Sequence, residues 1–137
     1  MTRAVTLLLE GVRTGTELWN DSCGPDDLAY ALANGATGAT SNPPIVLGIV
    51  RAERATWHRR ARELAAEHPA WGEGEIAWRI VEEVAARGAG YLAPVFEASG
   101  GRVGRLSAQV DPRRSRDAEG MLSQAERLSS LAPNMQV

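Results

Sequence analysis

The sequence predicts an α/β fold in which parallel strands are joined by helical crossovers. Short strand-like runs alternate with amphipathic helical runs along the chain, an order that packs as parallel strands with helices between them. Three of those strand-like runs close on polar residues just before a helix start: Asn20-Asp21, Thr40-Ser41-Asn42 and Gln109-Val110-Asp111. Folds of this class gather their chemistry at the carboxyl ends of the strands. A length of 137 residues with 44% apolar content suits one domain with its own core.

Glu17-Leu18-Trp19-Asn20-Asp21 reads as the first strand, and Ser22-Cys23-Gly24 as the turn after it. Pro25 suits a first helical position, and Asp26 and Asp27 suit the first turn, where the helix dipole favours acids. Leu28, Ala31 and Leu32 recur at helical spacing, and Asn34-Gly35 is a stop signal. Ala36-Thr37-Gly38-Ala39-Thr40 reads as a second strand of thin side chains. Asn42 is an N-cap before Pro43. The apolar stripe Ile45, Val46, Ile49, Val50 and Trp57 predicts one long helix that ends before Pro69.

A further helix is expected from about Glu73 to Arg87, broken by Gly88 and Gly90. Its apolar face carries Ile76, Ala77, Ile80, Val81 and Val84, with Glu82 and Glu83 off the centre of that face. Tyr91 to Phe96 reads either as a last helical piece or as an apolar loop. Ser99-Gly100-Gly101 is a turn, and Arg105 to Val110 a third strand ended by Asp111-Pro112. The last helix presents Ala118, Met121, Leu122, Ala125 and Leu128. Pro133-Asn134 is a break, and Met135-Gln136-Val137 opens a fourth strand.

Fifteen basic against seventeen acidic residues leave a net charge of −2, with the signs interspersed. The absence of a basic stripe argues against a nucleic-acid partner. No apolar run approaches the roughly 20 residues of a membrane span. Residues 1–10 lack the long apolar region and cleavage site of a secretory signal. Cys23 is the single cysteine, so no internal disulfide framework exists. The simplest compartment is the cytoplasm. All fifteen basic residues are arginine, and the chain contains no lysine.

Side chains alternate along a strand, so Trp19 shares a face with Asp21, Thr40 with Asn42, and Ser107 with Gln109. A carboxylate and two amides then converge on one pocket. Local roles compete with that reading. Asp21 suits a cap of the turn before Pro25, Asn42 an ordinary N-cap, and Asp111-Pro112-Arg113 a strand-to-helix turn. His58 and His68 lie on a helix flank, away from the strand ends.

Three segments together carry a family resemblance: Thr16-Glu17-Leu18-Trp19-Asn20-Asp21-Ser22, Gly35-Ala36-Thr37-Gly38-Ala39-Thr40-Ser41-Asn42-Pro43 and Leu106-Ser107-Ala108-Gln109-Val110-Asp111-Pro112-Arg113. In this order and spacing they resemble the first three strand-end motifs of the transaldolase family. Asp117-Ala118-Glu119 and Leu131 to Val137 continue the match. The resemblance implies a partial (β/α)8 barrel: the first three βα units plus the start of strand 4, with residues 1–137 as a single domain forming the N-terminal half. It implies transfer of a dihydroxyacetone unit between sugar phosphates through a lysine Schiff base, in the pentose phosphate pathway, with neither metal nor organic cofactor. Asp21 takes the place of the family's acid–base aspartate. Asn42 takes that of the substrate-binding asparagine, with Thr40 and Ser41 beside it. Gln109 stands at the third catalytic position.

Two departures accompany the match. Gln109 stands where many members carry a glutamate that works through a water, and an amide can orient a water without accepting its proton. The Schiff-base lysine, expected on the fourth strand just past Val137, is absent, and covalent catalysis of this type needs an amine. The expectation is therefore an incomplete chain, inactive alone. The alternative is a non-catalytic half-barrel scaffold that associates with itself or with a separate C-terminal half, since a half barrel exposes sheet edges and an unfilled interior.

Overall fold

The computed structural model describes residues 10–137, so the N-terminal run read for a secretory signal lies largely outside the described residues. Strands β1 (Trp19–Asn20), β2 (Gly38–Ser41), β3 (Arg105–Ala108) and β4 (Met135–Gln136) form one parallel sheet in the order β1-β2-β3-β4. Each strand lies beside the next in sequence with no reversal, as in a barrel wall; a doubly wound sheet reverses its order at a switch point. The fold is α/β with a parallel sheet, consistent with part of a (β/α)8 barrel. β1 and β3 are shorter than expected, and β2 starts two residues later than expected, at Gly38, and runs on to Ser41.

Strand alternation divides the sheet into two faces. Register aligns Ala39 with Leu106 and Leu106 with Met135, and these three are 0%, 0% and 5% exposed. They pack beneath the helices with Leu28, Val46, Val84, Leu92 and Leu128. The alternate row, Thr40, Ser107 and Gln136, faces the other way and ranges from half-buried to exposed. Among the described residues the core therefore lies on one side of the sheet and leaves the other side open.

Helix α1 (Pro25–Ala33) starts and stops where proline, the paired aspartates and Asn34 predict. Helix α2 begins at Pro43, with the Asn42 side-chain Oδ1 accepting from the Ile45 N–H at 2.9 Å. The single helix expected to reach Pro69 is in fact two, α2 (Pro43–Ala52) and α3 (Arg54–Glu67), with a break at Glu53. The Glu53 carboxylate takes both terminal nitrogens of Arg87, at 2.6 and 2.8 Å, and the Trp57 indole N–H at 3.2 Å. A bidentate charged pair to a distant helix outweighs the small local preference for continuing the turn.

Helix α4 runs 26 residues, Glu73–Ala98, straight through the glycines expected to end it. A helical glycine costs about 1 kcal/mol relative to alanine. Burial of Val84 and Leu92 against the sheet returns roughly 1.5–3 kcal/mol each, so the helix continues. Gly88 also lets α4 approach closely: a β-carbon there would sit 2.8 Å from that of Cys23. Pro94 strands the Gly90 carbonyl, on an exposed residue where water can take the bond. Tyr91 to Phe96 is thus helical. Glu82 is a further correction: it is 4% exposed, gripped by Arg127 at 2.6 Å and Arg79 at 3.3 Å.

Helix α5 (Ala118–Ser129) is capped by Asp117, which accepts from the Gly120 N–H at 2.9 Å. Leu128 is buried, but Leu122 is 61% exposed and does not belong to the packed face. Six residues from Leu128, it lies roughly 120° round the helix. Asn134, expected only to mark a break, is buried as a strap. Its side-chain amide donates to the Ala89 carbonyl at 2.8 Å and the Gly104 carbonyl at 2.9 Å, and its backbone carbonyl accepts from the Leu106 N–H. Among the described residues no helix is long and apolar enough to cross a membrane.

Candidate active site

The carboxyl ends of β1, β2 and β3 lie side by side on the open face. Asp21 follows β1 directly and is exposed. Its Oδ1 accepts from the Thr40 hydroxyl of β2 at 2.7 Å. The turn before α1 is held by other groups. Asn20 donates to the Ser22 carbonyl at 2.8 Å, Gly24 N–H to the Ser22 hydroxyl at 3.1 Å, and that hydroxyl to Asp27 at 2.7 Å. The Asp21 carboxylate points across to the neighbouring strand, leaving Oδ2 for another partner.

Asn42 continues the extended backbone of β2 (φ −147, ψ 168) and so stays on Thr40's side of the sheet. Its carbonyl oxygen is committed to capping α2, which leaves its amide nitrogen as the donor available to a ligand. Gln109 lies one residue past β3 and is exposed. Since Ser107 pairs with Thr40 and Ala108 with Ser41, continuing the register sets Gln109 opposite Asn42.

Ser41 is not brought to this face. It alternates with Thr40, is 2% exposed, and its hydroxyl accepts from the Cys23 thiol at 3.3 Å inside the helix layer. Burial pushes the Cys23 thiol up, the reverse of what a nucleophilic cysteine needs. Trp19 lies on the open side with its ring over Gly38, where a β-carbon would fall 2.6 Å from the indole. His68 stacks on Trp71 with ring centres 3.8 Å apart. Among the described residues no group of three His, Cys, Asp or Glu could hold a metal ion.

One further polar residue, Gln136, lines the open face and was missed in the sequence, which had already placed Ser107 on the face of Gln109. Ser107 pairs with Thr40 on one side and Gln136 on the other, giving a row of hydroxyls and amides across β2, β3 and β4. The signal was the same alternation that selected Gln109, carried back one pleat and across to β4. Such a row suits a ligand rich in hydroxyls, because each group can donate and accept.

Asp111 also proves more than a turn residue. It is 5% exposed, and its carboxylate accepts from Arg113 at 2.7–3.0 Å and from the Trp78 indole at 3.1 Å. The Arg113 guanidinium holds its pKa down at about 2. A cleft of about 550 Å³ adjoins it between α4 and α5, away from the open face. Each of its four guanidiniums is in an ion pair: Arg79 with Glu82 at 3.3 Å, Arg113 with Asp111 at 2.7 Å, Arg127 with Glu82 at 2.6 Å, and Arg114 with Asp117 at 3.2 Å.

The model of the family described as Transaldolase/Fructose-6-phosphate aldolase matches residues 18–137. The chain is 34% identical to the transaldolase of Thiobacillus denitrificans over 134 residues, which are 91% of this chain and 36% of that protein. It is 36% identical to the transaldolase of Thermobifida fusca over 103 residues, 73% of this chain and 27% of that protein. A 48-residue stretch is 44% identical to transaldolase 1 of Streptomyces avermitilis, covering 34% of this chain and 13% of that protein. The chain thus spans about a third or less of the length of these curated relatives.

Proposed function

The chain belongs to the transaldolase/fructose-6-phosphate aldolase family, and on that premise we propose that residues 1–137 supply the N-terminal half of a barrel that moves a dihydroxyacetone unit between sugar phosphates. Asp21 is the acid–base group. With the ketose held as an imine, its free oxygen takes the hydroxyl proton as the adjacent carbon–carbon bond breaks and the electron pair flows toward the imine nitrogen. It returns the proton when the acceptor aldehyde adds. Thr40 holds the other oxygen and fixes the rotamer. The Asn42 amide donates to a substrate hydroxyl. Gln109 orients the water that enters and leaves during imine formation and hydrolysis, and Asp21 carries its proton.

The observation that carries this reading is the 2.7 Å bond from Thr40 to Asp21, made across two parallel strands at their carboxyl ends. An acid–base carboxylate needs such an orienting partner in a site built on rigid elements. The imine amine comes from a lysine outside these residues, since the chain contains none. Metal and organic cofactor have no part in the scheme, and the setting is the pentose phosphate pathway in the cytoplasm. Borohydride reduction of the chain with fructose 6-phosphate is expected to leave it unlabelled by mass spectrometry. A covalent adduct on the chain alone would contradict the scheme.

The missing lysine also favours a second reading, a non-catalytic half-barrel scaffold. Its open polar face and the strand edges of β1 and β4 would be covered by a second copy or by a separate C-terminal half. Sedimentation separates the two. A tight dimer that binds no sugar phosphate favours the scaffold, and a chain that pairs only with a lysine-bearing half favours the enzyme.

A further inference from the structure

We infer that Asp111 is a positioning residue, clamped by Trp78 and Gln124, that fixes the strand tip carrying Gln109. The inference rests on the reading of Gln109 as the water-orienting group of the open face. The last rung of β3 is Ala108, paired with Ser41, and the next fixed point is Asp111. Only Gln109 and Val110 lie between. A two-residue span held at both ends has little freedom, so what holds Asp111 sets where the Gln109 amide sits.

Turn formation alone does not account for the bonds at Asp111. A strand-to-helix turn is satisfied by the carboxylate accepting from the Arg113 backbone N–H at 3.0 Å, a bond two residues away. Asp111 has in addition two long-range ties to separate helices. Trp78 of α4 reaches its Oδ2 at 3.1 Å across 33 residues of sequence. The Gln124 side chain of α5 accepts from its backbone N–H at 2.7 Å across 13 residues. Arg113 closes the outer side through its guanidinium, itself 74% exposed, while Asp111 is 8% exposed at the side chain. A carboxylate held this deep persists only where several donors converge. Here the donors come from Trp78 of α4 and from Arg113 of the turn, while Gln124 of α5 takes the backbone N–H of the same residue, so the two helices flanking β3 jointly set the height of its tip. Gln109 faces the open side and Asp111 lies on the helix side of the same short span, which separates the group that meets a ligand from the group that holds it.

The test uses the 15N-labelled 137-residue chain and three variants. Trp78→Phe keeps an aromatic ring and removes the N–H donor. Gln124→Met removes the acceptor on a half-buried helix position, and Asp111→Asn keeps shape and one acceptor oxygen. In Trp78→Phe and Gln124→Met the Asp111 amide is expected to exchange about tenfold faster, in line with one lost hydrogen bond. The Gln109 backbone and side-chain amide signals shift and lose order, while those of Asp21 and Asn42 stay in place. Asp111→Asn gives a smaller shift of the same Gln109 signals. Gln109 signals that superimpose on the parent in all three variants, even with a lowered melting temperature, overturn the clamp and leave Asp111 structural. Titration with fructose 6-phosphate in the presence of a lysine-bearing partner half tests the underlying reading separately. Gln109 signals that move there support it. Signals that stay fixed while Asp21 and Asn42 move remove Gln109 from the site whatever the variants show.

Discussion

Alanine in place of Asp21 is expected to lower turnover about a hundredfold or more in a chimera that carries residues 10–137 of this chain in place of the matching segment of a longer relative. The carboxylate is the acid–base group within the proposed scheme, and proton transfer by a positioned side chain contributes about 10²–10⁴-fold. The loss should fall on kcat more than KM, because the proton moves in the transition state while Asn42 continues to bind the ground state. Thr40→Val tests the same geometry more gently. It keeps the shape and removes the 2.7 Å bond, so the carboxylate remains but is no longer held in one rotamer. Steady-state kinetics on the folded chimera measures both. Equal turnover with and without Asp21 takes the residue out of the chemistry.

Asn134→Asp should be the most damaging single change to stability, at about 3 kcal/mol or more. The buried amide of Asn134 donates to two carbonyls, those of Ala89 in α4 and Gly104 before β3. A carboxylate has no proton to donate, so two acceptors would confront a third in a site 2% exposed. Each lost bond costs about 1 kcal/mol, and an unpaired buried charge costs more. The sign with pH follows from the substitution. Burial and the facing carbonyls raise the new carboxyl's folded-state pKa above its unfolded value of about 3.9. A raised carboxyl destabilises increasingly as pH rises above that value, so the deficit against the parent should deepen from about pH 4 upward. Urea unfolding at a series of pH values checks it. A deficit that is constant with pH would mean that the strap is not what holds this end of the sheet.

Much of the fold was legible because its signals are local. Pro25 with Asp26 and Asp27, and Asn42 before Pro43, mark helix starts by bonds made within one turn. The polar strand ends likewise announced the tips at Asp21, Asn42 and Gln109. Features decided by distant partners were not legible. The break at Glu53 depends on Arg87, 34 residues away, and the passage of α4 through Gly88 depends on the close approach of Cys23. Glu82, placed off the centre of the apolar face, is buried and paired with Arg127 of another helix. Ser41 shows a pattern underused: alternation with Thr40 already set its hydroxyl on the opposite face, where Cys23 meets it. The sequence signal for Asp111 was a turn, and nothing local reveals that Trp78 waits behind it.

The account depends most on the tips of β1 and β3 facing one shared space. Cysteines placed by Asp21→Cys and Gln109→Cys, with the buried Cys23 out of reach, measure it directly. Two strand spacings across and two residues along set the pair roughly 12 Å apart on the same side. A bis-maleimide of about that span is predicted to bridge them within one chain, giving a single cross-linked species by mass spectrometry. Two cysteines that each react fully yet never bridge would place the tips apart and contradict the account.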